Sequence, residues 1–191
     1  MIKKNATVLM VGRPNVGKST LFNRLTQTKT AITAKEAGVT RDIRALPVQW
    51  NGQEFYLQDA GGVIFDKHNP KMQNKIEELV SAKLDSARLI LFMVDGKDGV
   101  LSSDYQVAEY LRPYSDKVLM VMNKCDNETA REETQEAYKL GFGDPMPISC
   151  LQGWGVGDLC DEICKRVPTA EAPDEEAAKR QFRVSIVGRP N

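Results

Sequence analysis

Four consecutive apolar residues, Val8 to Val11, run directly into Gly12-Arg13-Pro14-Asn15-Val16-Gly17-Lys18-Ser19, and this junction constrains the fold more than any other feature of the chain. A continuously apolar strand of this kind is buried on both faces, as in a parallel sheet. The residues after it complete a G-x-x-x-x-G-K-[ST] pattern between a strand and a helical run, where glycines let the backbone wrap a polyphosphate. Successive N–H groups and the helix N-terminus then face the anion, with Lys18 reaching the β and γ phosphates and Ser19 offering a hydroxyl to Mg2+. Gly12, Asn15, Val16, Gly17, Lys18, Ser19 and Thr20 are thus the first candidate nucleotide-binding residues. A bare glycine-rich turn is the alternative, but it gives no reason for Lys18-Ser19.

Two further continuous apolar runs, Leu89 to Val94 and Val118 to Met122, alternate with amphipathic segments. Ile43 to Trp50 and Glu54 to Gln58 flank Asn51-Gly52, a two-residue hairpin signal that predicts one antiparallel pair at a sheet edge. Asn69-Pro70 opens a helix carrying Ile76, Leu79, Val80 and Leu84 on one face, and Ser103 with Gln106 forms a capping box for the next. Gly141 caps a helical run from Glu128 to Leu140, and a last helix, Val156 to Val167, closes before Pro168. The expected fold class is α/β, a P-loop NTPase three-layer fold whose mostly parallel six-stranded sheet has one antiparallel edge hairpin and helices on both faces.

With 26 Lys+Arg against 26 Asp+Glu in 191 residues the net charge is zero, so anion binding must come from a built site and not from a whole-chain field. No apolar run approaches the roughly 18 residues that span a bilayer, and no membrane partner is expected. Cys125, Cys150, Cys160 and Cys164 form no C-x-x-C pair and His68 is solitary, which fits reduced thiols in a cytoplasmic protein without a zinc site. Residues 1–167 are expected to form the first domain, and 168–183, with Pro173 and Asp174-Glu175-Glu176, a linker. Val184 to Asn191 repeats Val8 to Asn15 at six of eight positions, the first strand and loop opening of a second such domain.

A phosphate loop does not choose a base. Asn123-Lys124-Cys125-Asp126 matches N-K-x-D at the carboxyl end of a strand, where open α/β sheets bind ligands. Asp126 can accept the N1–H and 2-amino hydrogens of guanine, whereas adenine presents an acceptor at N1 and has no such amino group. Asp59-Ala60-Gly61-Gly62 fits D-x-x-G; alone it is a turn, but between the other two motifs it places Asp59 beside Mg2+ and the Gly62 N–H at the γ phosphate. Thr40, in the polar segment between the first helix and the hairpin, is expected to be a second hydroxyl ligand for Mg2+ in the triphosphate state, and the backbone of Ser149, Cys150 and Leu151 is expected to read guanine O6.

With these motifs in this order, the chain resembles the translational-GTPase-like class of P-loop proteins and, within it, the Der (EngA) family of bacterial tandem GTPases. The resemblance spans nearly the whole chain: Gly12 to Thr20, G-V-T-R-D at Gly38 to Asp42, Asp59 to Gly62, V-D-G-x-x-G at Val94 to Gly99, Asn123 to Asp126, and Gly188 to Asn191. It implies GTP/GDP and Mg2+ as ligands and a role in assembling the large ribosomal subunit. The implied partners are the 50S subunit or its precursor and, in cis, a second GTPase domain and a KH-like domain. Ala60 stands where threonine is usual in this family, and Cys150 where alanine is usual.

Hydrolysis needs a positioned water, and Val63 follows the D-x-x-G glycine where Ras-type enzymes carry glutamine. Arg13, Arg41 and Arg44 are the nominees for an arginine finger. In relatives resembling this class an asparagine at the position of Asn15 binds K+, which stabilises charge developing between β and γ phosphates. The same is expected here, with carbonyls near Ala34 to Glu36; the alternative is that Asn15 only hydrogen-bonds the loop. Lys18, Thr40, Gly62 and Asn15 are the candidate catalytic residues. A nucleotide-sensing module with negligible hydrolysis in isolation is the second expectation for function, and an ATP-dependent phosphotransferase is disfavoured by Asp126.

Overall fold

The computed structural model describes residues 7–26, 45–60, 80–128 and 135–167. Six strands make a single sheet: β1 (Thr7–Val11), β2 (Ala45–Trp50), β3 (Gln53–Asp59), β4 (Leu89–Asp95), β5 (Val118–Asn123) and β6 (Met146–Pro147), in the spatial order β2-β3-β1-β4-β5-β6. All neighbours are parallel except β2 and β3, whose turn residues Asn51 and Gly52 have φ of 47° and 79°. Two successive left-handed residues match the twist of a tight hairpin. Pro47 sits in β2, the edge strand, where a missing N–H costs no ladder bond.

The helices are α1 (Lys18–Thr26), α2 (Ser102–Leu111), a single turn α3 (Gln135–Tyr138) and α4 (Val156–Arg166), with residues 80–86 also helical. Side chains of β1, β4 and β5 alternate between two cores. Val8, Met10, Leu89, Leu91, Leu119 and Val121 pack with Leu21 and Phe22 of α1 and Leu159 and Ile163 of α4. Leu9, Val11, Ile90, Phe92 and Met120 pack on the other face with Leu84, with Val107 and Leu111 of α2, and with Leu140. Burial on both faces explains the unbroken apolar runs, each fully buried Leu, Ile or Phe contributing about 1.5–3 kcal/mol. The expected three-layer α/β fold is thus the observed one.

Helix α2 departs from its expected start. Leu101 is its N-cap, and the Asp104 carboxylate, not a Ser103–Gln106 pair, accepts the Leu101 N–H at 2.9 Å. Asp104 can fill this buried position because Arg13, from the loop after β1, lies against it at 3.2 Å. Gly141, at φ 79°, donates its N–H to Tyr138 O and ends the α3 turn as expected. The Asn69-Pro70 start, the linker and the repeat lie outside the described residues. Among those described, no helix is long and apolar enough to cross a membrane.

Candidate functional site

Every described motif converges on the carboxyl edge of the sheet. The register pairs Met10 with Asp59 and Asp95 with Asn123, so the ends of β1, β3, β4 and β5 come out on one side. The phosphate loop leaves β1 with Gly12 at φ 153°, Asn15 at 67° and Gly17 at 102°. Glycine is required at the last of these by space as well as φ, since a Cβ on Gly17 would lie 2.1 Å from Asn123 Nδ2. Val16 is fully buried and anchors the loop to the core beneath. Lys18, Ser19 and Thr20 open α1, so the N–H groups of this first turn have no intrahelical acceptor.

The Lys18 ammonium donates to Gly12 O and Arg13 O, both at 2.8 Å, and so lies within the loop. Burial holds its pKa below the ordinary lysine value, opposed by the nearby Asp59 carboxylate. An anion on the loop would favour the charged ammonium, which makes the site electrostatically receptive to phosphate. The Asn15 carboxamide makes no hydrogen bond to any described residue, and Ser19 and Thr20 are exposed. Thr40, Gly62, Val63, Arg41, Arg44 and residues 34–36 lie outside the described residues.

Asn123 joins the two halves of the site. Its Nδ2 donates to Val16 O at 2.7 Å, and its Oδ1 accepts the Cys150 N–H at 2.9 Å. It is 2% exposed, so both bonds are shielded from water. Three residues on, Asp126 is exposed and accepts the Ser149 hydroxyl at 2.6 Å, while Ser149 Oγ takes the Gln152 N–H at 3.1 Å. Ser149 N–H donates to Trp154 O, and Cys150 N–H is taken by Asn123. Of the three loop amides expected to face a base, Leu151 alone therefore has no protein acceptor among the described residues.

Lys124, at φ 69°, turns its ammonium onto Asp95 at 2.5 Å. Burial opposes ionisation of Asp95, but bonds from Lys124 and from the N–H groups of Asp98 and Lys97 hold its carboxyl below the ordinary range. Arg13 reaches the same cluster, 3.8 Å from Asp95 and 3.5 Å from Asp98, with its side chain 11% exposed. Arg13, one of the nominees for a finger, turns its guanidinium toward carboxylates at the β4 end and on α2. Asp95 and Asp98 of the V-D-G-x-x-G motif are the carboxylates that meet Arg13 and, at Asp95, Lys124. Arg24 of α1, which bonds the carbonyls of Cys150 and Leu151, escaped notice because an arginine on a helix reads as a solvent-facing charge.

Mg2+ can be tested against this geometry. Ser19 offers a hydroxyl at the first turn of α1 and Asp59 a carboxylate near Lys18 at the neighbouring strand end, both hard oxygen donors. No group of three or more His, Cys, Asp or Glu among the described residues is placed to hold a metal ion by itself, so Ser19 and Asp59 would hold it largely through phosphate and water oxygens, as Mg2+ prefers.

Comparison with known proteins agrees with the geometry. GTPase Der of Porphyromonas gingivalis is 44% identical over 186 residues, covering 97% of this chain and 42% of the relative. GTPase Der of Aquifex aeolicus is 41% identical over 184 residues, covering 96% and 42%. The chain thus spans about two fifths of the length of the curated relatives it matches. Among solved structures, Era in complex with MgGDPNP and nucleotides 1506–1542 of 16S ribosomal RNA superposes with a TM-score of 0.70 at 29% identity, covering 90% of this chain and 59% of that one. An Aquifex aeolicus Era variant bound to GDP·AlF4- gives 0.68 at 31%, covering 87% and 58%. The profile of the 50S ribosome-binding GTPases matches residues 7–124, from β1 through the first two residues of N-K-x-D, and the chain belongs to that family.

Proposed function

We propose that this chain is a guanine-nucleotide switch that hydrolyses GTP to GDP and phosphate, the first of two GTPase domains in a longer protein acting in large ribosomal subunit assembly. The observation that carries the reading is the Asn123 bridge, which holds the phosphate loop and the base-reading loop in one rigid unit. In this reading Asp126 accepts from N1–H and the 2-amino group of guanine, and Leu151 N–H donates to O6. Adenine inverts the pattern at both N1 and position 6, leaving these groups mismatched. Lys18 and the first-turn N–H groups of α1 stabilise the phosphates, most strongly where charge develops during transfer.

Ser19, Asp59 and Thr40 would hold Mg2+, which when bound neutralises charge across the β and γ phosphates. The carboxamide of Asn15, unspent on the described residues, suits a monovalent cation such as K+, and Gly62 is assigned to the γ phosphate. Without a glutamine at Val63 or a free Arg13, hydrolysis in isolation is slow. Residues 168–183 act as the linker and 184–191 begin the second GTPase domain, with the KH-like domain and the 50S subunit or its precursor as partners in the cytoplasm. The match to the 50S ribosome-binding GTPase family supports a large-subunit partner, and the 16S ribosomal RNA bound to Era supports ribosome association more generally.

The test is competition of unlabelled nucleotides against labelled GDP, followed by single-turnover phosphate release in KCl and NaCl at equal ionic strength. GTP and GDP should displace the label, ATP should not, and release should be faster in KCl. Equal displacement by ATP overturns the guanine assignment, equal rates in the two salts remove K+, and no release at all overturns the enzymatic reading.

A further inference from the structure

Arg24, on α1, meets the loop after β6 from 126 positions away in sequence. Its Nε donates to Cys150 O at 2.6 Å and its Nη2 to Leu151 O at 2.7 Å. These nitrogens form one edge of the planar guanidinium, so a single rigid group holds two successive carbonyls. The third nitrogen, Nη1, lies over Gly153, where a Cβ would come within 2.8 Å of it. Nothing in the phosphate chemistry uses this side chain.

A trans peptide is planar, with its C=O and N–H pointing opposite ways. Holding Cys150 O therefore fixes the direction of the Leu151 N–H, which belongs to the same peptide. That N–H is the loop amide left without an acceptor among the described residues, since Ser149 N–H and Cys150 N–H donate to Trp154 O and Asn123 Oδ1. Leu151 cannot orient it by packing, because this residue is 76% exposed. A charged donor on the carbonyl also polarises the peptide and strengthens its N–H as a donor.

We propose that Arg24 is a positioning residue for base specificity: by clamping the carbonyls of Cys150 and Leu151 it aims the Leu151 N–H at O6 of guanine. The proposal rests on the guanine reading above. It separates two parts of base recognition, with Asp126 reading the N1–H and 2-amino edge and the Arg24-held peptide reading position 6.

The experiment measures the affinities of the full 191-residue chain, Arg24→Ala and Arg24→Lys for GDP, inosine diphosphate and 2-aminopurine riboside diphosphate. Inosine lacks only the 2-amino group; 2-aminopurine keeps it but lacks O6 and, with it, the N1–H, a loss at Asp126 that is the same in wild type and in the Arg24 variants. Arg24→Ala should lower the preference for GDP over the 2-aminopurine nucleotide by about tenfold, the worth of a charge-assisted bond, and leave the preference over inosine diphosphate unchanged. Arg24→Lys, which keeps the charge but cannot fork, should fall between. If both preferences fall together, Arg24 is a general support of the loop, and if neither moves it has no part in recognition; either result overturns the proposal alone. A wild-type chain without preference for GDP overturns the guanine reading and the proposal with it.

Discussion

Replacing Asn123 with alanine distinguishes a structural bridge from a nucleotide ligand. In the free protein the side chain makes two buried bonds, to Val16 O at 2.7 Å and from Cys150 N–H at 2.9 Å. Alanine leaves a carbonyl and an amide unpartnered, each costing about 1–3 kcal/mol, with water entry offsetting part of the sum. The expected loss is about 3 kcal/mol, a large share of the ~5–15 kcal/mol that holds a domain together. Urea unfolding without nucleotide measures it: at a slope of about 2 kcal/mol/M the midpoint should fall by about 1.5 M with the slope unchanged. Asn123→Asp keeps the acceptor for Cys150 N–H but sets a carboxylate oxygen against Val16 O. Its loss should match that of alanine at neutral pH and shrink on acidification, as the protonated carboxyl can donate. If Asn123→Ala loses less than about 1 kcal/mol while nucleotide affinity falls, the side chain acts on the base and the bridge reasoning is refuted.

Asp95→Asn should lower stability at neutral pH and flatten the acid limb: the wild-type carboxyl is held below the ordinary 3.8, so its contribution is present above that value and is lost as pH falls through the depressed one. Urea midpoints measured against pH check this, and an unchanged acid limb would count against it. Asp161→Ala frees Trp50 Nε1 and Asn51 Nδ2, bonded at 2.6 and 2.9 Å, and should cost about 1 kcal/mol in thermal unfolding and shift tryptophan emission to the red. Burial pushes the Cys150 and Cys160 thiols up to about 12 and raises that of the half-buried Cys164. Ellman's reagent at pH 8 should therefore reach at most Cys164 in the native chain and all four cysteines after unfolding; a second fast native thiol would contradict the packing.

What could be read from the sequence was whatever local geometry dictates. The left-handed turn at Asn51-Gly52, the glycines at 12 and 17, and the two-sided burial of β1, β4 and β5 each restrict residue type at fixed spacing. The N-K-x-D pattern likewise announced Asn123, although its span between Val16 and Cys150 did not. Contacts made across the chain were hidden. Asp104 caps α2 in place of the Ser103–Gln106 pair because Arg13, 91 positions away, makes a buried carboxylate tolerable there. Arg24 looked like any helical surface charge until β6 brought Cys150 and Leu151 against it. Thr40 and Gly62 lie outside the described residues and stay with the proposal.

The tight fit at Gly17 also governs how this site can change over generations. Every single-base change that alters a glycine codon brings in a residue with a Cβ or ends the chain, and a Cβ at position 17 would lie 2.1 Å from Asn123 Nδ2. Replacing Asn123 first would open that space only by giving up the bonds to Val16 and Cys150. A change at either position therefore carries a cost at the other, and the packing couples the phosphate loop to the loop after β6.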